Sequence, residues 1–163
     1  MSHIHHKSHH LVWLAILCCL LTACAIQTPT PVPKPPTPVK PEITLTIASV
    51  GSQPIFNKPL MTVAAGSRVT LEFTNSTSRG DRIMQNWVLV QPGAETGVIS
   101  DAPNTTLDTS FIKPDDPRVI AFTTAVVGSQ IAVVTFDAPP PGRYTYLSTA
   151  PRHQEMRGML VVQ

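Results

Sequence analysis

The chain has 163 residues, of which 42% are hydrophobic, 13% charged and 6% aromatic; 17 are proline, and the formal net charge is +2. That length holds one ordinary domain with appendages and excludes a large α/β enzyme or a multidomain machine, and so weak a charge, without clustered Lys and Arg, argues against a nucleic-acid partner. The charged fraction is about half the globular average. With frequent Thr, Val, Ser and Pro it points to an all-β chain. The rare residues are unevenly placed. Five of the six histidines are His3, His5, His6, His9 and His10, and all three cysteines, Cys18, Cys19 and Cys24, precede residue 25. The fate of the first 24 residues therefore decides what chemistry the rest can perform.

Residues 1–10 are polar, with Lys7 as the fixed positive charge, and residues 11–21 form an apolar run. Eleven residues at about 1.5 Å each are too few to cross a bilayer core of roughly 30 Å, and they suit the apolar region of a secretory signal. Leu21-Thr22-Ala23-Cys24 follows, and it resembles the bacterial lipobox. The resemblance implies a signal peptide over 1–23, cleaved before Cys24, whose thiol then carries lipid. The mature chain would keep no free thiol, no disulfide and one histidine, His153, and losing Lys7 would take its net charge from +2 to +1. Over 27–41 the sequence QTPTPVPKPPTPVKP carries seven prolines. Proline fixes φ and removes donors, so this stretch reads as polyproline II. Fifteen residues at about 3.1 Å each make a semi-rigid tether of roughly 45 Å. The expected organisation is thus signal peptide 1–23, lipidated Cys24 with a Pro-rich linker over 24–41, and one domain over 42–163.

The domain segment alternates with period two. Ile43, Leu45 and Ile47 interleave with Thr44 and Thr46, and Val69, Leu71 and Phe73 repeat the pattern after an Ala65-Gly66 turn, as half-buried strands do. Asn86–Val90 reads as a short apolar strand containing Trp87, a core residue. Val119–Val126 and Ile131–Phe136 are further strands, separated by Val127-Gly128-Ser129. Pro139-Pro140-Pro141-Gly142 turns the chain into Tyr144–Leu147, and Met159–Val162 closes it. Residues 91–118, rich in Pro, Asp, Asn and Thr, break the rhythm as a long excursion with a helical turn. Asp115 and Asp116 within it read as a solvated turn. About seven to eight short strands with Gly, Pro or Asn turns predict a Greek-key β-sandwich.

Four ordered blocks carry a family resemblance: MQNWVLV from Met84, KPDDPRVIA from Lys113, Val134-Thr135-Phe136, and STAPRH from Ser148. They are similar to the azurin and auracyanin branch of the blue copper proteins, the cupredoxins, and the match runs from about Glu42 to Gln163. The resemblance implies a cupredoxin-like fold and, in the family, copper held by two histidines and a cysteine thiolate with a weak axial methionine. Carried over by position, the first histidine falls on Gln85 and the cysteine on Ser148. The second histidine is retained as His153. The axial methionine is retained as Met156, three residues on, one fewer than in the azurin pattern. Met84 occupies the place of a possible extra axial ligand. Two of three strong ligands are substituted, and a serine hydroxyl or a neutral amide cannot replace a thiolate or an imidazole at copper.

The function expected from these readings is that of a membrane-anchored, extracytoplasmic cupredoxin-like protein that is a non-redox binding or structural copy, not an enzyme. The alternative is a small copper-binding electron carrier with an altered site of His153 with Met84, Met156 and Met159, since thioethers favour Cu(I). No cofactor is expected, and copper only if such a residual site binds it. Ser148 with His153 and Glu155 suggests nucleophilic catalysis only weakly, there being no Gly-rich oxyanion loop. The expected partners are the bacterial membrane, through lipid on Cys24, and a docking or redox protein at the ligand-loop end of a monomer. An apolar patch of Ala150, Pro151, Met156 and Met159 would favour such docking.

Overall fold

A computed structural model describes residues 39–163. The signal peptide, Cys24 and nearly all of the Pro-rich linker lie outside the described residues. Nine strands form two sheets there: β1 (Glu42–Val50), β2 (Gln53–Phe56), β3 (Leu60–Val63), β4 (Arg68–Thr74), β5 (Val88–Val90), β6 (Val119–Phe122), β7 (Ile131–Asp137), β8 (Gly142–Leu147) and β9 (Arg157–Val162). One sheet runs β2-β1-β4-β7 and the other β3-β9-β8-β5-β6. The β1–β4 and β3–β9 pairs are parallel and the rest antiparallel. The expected β-sandwich is borne out. The strands added to the sequence reading are β2 and β3, four residues each, too short to show a period. Pro54 sits in β2, which is an edge strand, where a missing donor is tolerated. The strand expected over 119–126 ends at Phe122, and Val126 forms an isolated bridge to Gln85.

The alternation read in β1 and β4 is the inward face of one sheet. Ile47, Val69, Leu71 and Phe73 enter the main core with Trp87, Leu89, Phe136, Tyr146, Met156 and Leu160. Trp87 is fully buried and lies tilted against Phe136 and Tyr146, at centroid distances of 5.8 and 5.9 Å. In β5 all three residues are buried, which is why that strand shows no alternation. Leu89 faces the sandwich, while Val88 and Val90 join Val98, Ile112 and Leu147 in a second cluster outside the sheet. The excursion supplies that cover. It contains one short helix, α1 (Glu95–Asp101), followed by two single turns of 3-10 helix.

The excursion is pinned by charge. Arg118 bonds Asp116 through both Nε and Nη2, at 2.8 and 2.6 Å, and its Nη2 also reaches Asp101 at 2.5 Å. The reading of both aspartates as a solvated turn therefore holds for Asp115, exposed at φ 55°, and fails for Asp116, whose side chain is 3% exposed. The guanidinium bonded to Asp116 holds its carboxyl below the usual range.

Candidate functional site

The loops at one end of the sandwich bring Gln85, Ser148, His153 and Met156 together. Gln85 is fixed by its backbone, which exchanges bonds with Val126 at 3.0 and 2.9 Å. Ser148 follows β8 and Met156 precedes β9, so both ride on one strongly paired hairpin. The loop between them is wound tightly. The His153 amide donates to Ala150 O at 3.1 Å, the Met156 amide to His153 O at 3.0 Å and the Ser148 amide to Met156 O at 3.2 Å. Arg152 takes φ 67° to permit the turn. All four residues are buried, and Gln85, Ser148 and Met156 have no exposed surface at all.

Across this end the side chains pair in two separate sets. Gln85 Nε2 stands 3.5 Å from His153 Nδ1, and Gln85 Oε1 is buried with no hydrogen-bond partner. Burial, disfavouring the imidazolium, pushes the His153 imidazole below its ordinary value. Ser148 faces elsewhere. Its hydroxyl donates to Asn86 Oδ1 at 3.0 Å and accepts the Ala150 amide at 3.3 Å. Met84 is half-buried beside Gln85 in the chain, and no hydrogen bond among the described residues reaches it.

Asn86, which sequence reasoning passed over, is the hub. Its Oδ1 accepts both Ser148 Oγ and the Thr149 amide, at 3.0 and 2.9 Å, while Nδ2 donates to Ser110 O and Thr149 Oγ1 at 2.7 and 2.8 Å. Every bond the amide can make is made, so it ties the excursion to the Ser148 loop. The available signal was a polar residue next to Trp87 in an apolar run. The apolar patch that would favour docking does not form. Ala150 and Met156 are fully buried, Met159 is half-buried within β9, and only Pro151 is exposed, beside Arg152 and Glu155.

No family model matches the chain. Auracyanin-A of Chloroflexus aurantiacus is 35% identical over 123 residues, 74% of this chain and 74% of that protein. Azurin-1 of Alcaligenes xylosoxydans xylosoxydans is 31% identical over 111 residues, 64% of this chain and 86% of that protein. The chain belongs to the azurin–auracyanin branch of the blue copper proteins. The solved structure of auracyanin A, described as a "blue" copper protein, superposes with a TM-score of 0.69 at 32% identity, covering 75% of this chain and 99% of that one. The cupredoxin fold expected from the sequence is thus confirmed.

Membership makes copper the group to test against the residues present. A blue site joins two imidazoles and a thiolate with a long axial thioether. Residues 39–163 contain one histidine and no cysteine, and among the described residues no three His, Cys, Asp or Glu converge. What gathers instead is one imidazole facing an amide, a hydroxyl committed to Asn86, and a thioether. This donor set does not fit a blue copper centre.

Proposed function

We propose that this cupredoxin is a non-redox copy: an extracytoplasmic, lipid-anchored domain that acts as a binding or structural module at a bacterial membrane. The observation that carries the reading is the pairing of His153 with Gln85 in a buried site with no thiolate. Electron transfer at a blue centre depends on copper–thiolate bonding, and nothing in residues 39–163 supplies it. Ser148 and His153 do not form a nucleophile–base pair either, because the hydroxyl proton is directed to Asn86; this supports a function other than catalysis. The topology of the reading rests on Cys24 in its Leu-Thr-Ala-Cys context and on the Pro-rich linker that follows. A partner protein would meet the domain at the Pro151–Glu155 loop, which is polar and charged at its exposed surface.

A second reading, copper binding by an altered site, is favoured by one feature. Met156 is fully buried at the end of the same turn that holds His153, and imidazole with thioether is a soft donor pair.

The deciding experiment is copper analysis and redox titration of the protein isolated from membranes. The proposal expects well under one copper per chain and no reversible wave; one tightly held copper with a reversible potential would establish the second reading. In the same preparation Cys24→Ala should move the protein from the membrane to the soluble extracytoplasmic fraction. A wild-type chain found free in solution with its leader uncut would remove the anchor from the proposal.

A further inference from the structure

We infer that Gln85 is the residue that closes this site to metal: its buried amide occupies the lone pair of His153 Nδ1 and holds the imidazole in a single tautomer. The inference rests on the non-redox reading above and names the side chain responsible. Two facts carry it. The amide nitrogen lies 3.5 Å from Nδ1, and the amide oxygen is buried without any partner.

Nδ1 is occupied whichever end of the amide faces the ring. With nitrogen toward the ring, Nε2–H donates and Nδ1 spends its lone pair as acceptor. With oxygen toward the ring, Nδ1 must carry the proton and donate. In neither arrangement is a lone pair at Nδ1 free for a metal. In the arrangement the structure shows, the outward oxygen is left without a partner. Leaving a buried polar atom unpaired is costly, and the chain carries that cost at Gln85. Met156, buried on the same turn, is left as a soft donor without a free Nδ1 on that turn. The amide is thus a barrier separate from the absence of a thiolate.

The test uses the full-length protein in detergent and Cu(I) buffered by bicinchoninate as the probe. Each chain is compared with its own His153→Ala version, so that copper held elsewhere in the protein is subtracted. Gln85→Ala frees the ring, and Gln85→Met does so while keeping side-chain volume and adding a thioether. Expected is weak His153-dependent Cu(I) binding by the wild type, about tenfold tighter binding in Gln85→Ala, the ratio that losing one competing hydrogen bond gives, and tighter binding again in Gln85→Met. Unchanged near-ultraviolet circular dichroism identifies the folded variants. Selective ¹⁵N-histidine labelling gives a readout in the wild type alone, in which His153 should show one tautomer. Wild type binding Cu(I) through His153 as tightly as the variants, folded variants binding no better than wild type, or a His153 ring exchanging between tautomers would each overturn the inference. The non-redox proposal falls on a different result, resident copper in the native protein, so the two failures are distinguishable.

Discussion

Gly158 lies directly opposite Tyr146 in the β8–β9 pairing, and a methyl group there tests how tightly the site hairpin is bound to the core. A Cβ at Gly158 would sit 2.2 Å from Tyr146 Cζ and Oη and 2.3 Å from Cε2. The ring has little room to yield. Phe56 packs edge-on at 5.3 Å, Trp87 lies at 5.9 Å, and the hydroxyl donates to Lys58 O. Forcing an extra methyl into a filled core costs about 1–3 kcal/mol, and displacing the ring also endangers the partly buried hydrogen bond to Lys58 O, roughly a further 1 kcal/mol. Replacing glycine restricts the unfolded chain and offsets about 0.4–1 kcal/mol. Gly158→Ala should therefore destabilise the domain by about 2–3 kcal/mol, read from urea unfolding. A double-mutant cycle sharpens the test. Tyr146→Leu removes the obstructing atoms, so Gly158→Ala should cost about 1–2 kcal/mol less in that background. Burial pushes the Tyr146 hydroxyl up to about 12, and displacement by the methyl should bring its spectroscopic titration back toward the ordinary value. Additive effects, or a Gly158→Ala protein as stable as the wild type, would refute the close-packing argument.

Trp87→Ala should cost about 3–5 kcal/mol, as large-to-small core substitutions do, whereas His153→Ala, whose ring makes one long contact, should cost clearly less in the same unfolding assay. Asp116 has a folded-state value below the ordinary one near 3.9, so it contributes stability above the unfolded value that is lost as pH falls through the folded one. Thermal unfolding followed downward from about pH 6 should show this loss, reduced in Asp116→Asn; Glu95 and Asp137, also lowered, should keep part of it, and an unchanged profile in Asp116→Asn would discount the Arg118 pairing. Copper added to the wild type should give no intense blue band, while Gln85→His with Ser148→Cys should give one, since it places a second imidazole and a thiolate beside His153 and Met156; a folded, colourless double variant would show that these positions do not converge as ligands.

Much of the sandwich was legible because half-buried strands write their burial into the chain. Ile43 to Ile47 and Val69 to Phe73 alternate, and those residues line the core. The readings that failed concern partners distant in sequence. β2 and β3 are short edge strands whose identity lies in pairing with β1 and β9. Asp116 looked like a surface turn because Asp101, its neighbour on Arg118, is 15 positions away, 101 to 116. At the site, His153 and Met156 were singled out by the family resemblance. That His153 faces Gln85 while Ser148 turns to Asn86 was not legible, because hydrogen-bond direction depends on packing geometry across 68 and 62 positions.

The point at which the chain enters the domain has a mechanical consequence. Pro41 O accepts the Arg68 amide at 2.8 Å and Lys40 bonds Asp137 at 2.6 Å, at the end of the sheet away from Gln85 and His153. From there β1 runs toward the site end, paired in parallel with β4 from Glu42↔Arg68 to Ala48↔Thr74. A pull between that entry point and a partner held at the site end is directed along the strands, so the β1–β4 bonds are loaded together in shear and not opened one at a time. Forced unfolding is governed by a rate and not by equilibrium stability. On the proposed anchoring, tension through the linker would therefore meet this shear-loaded pairing first.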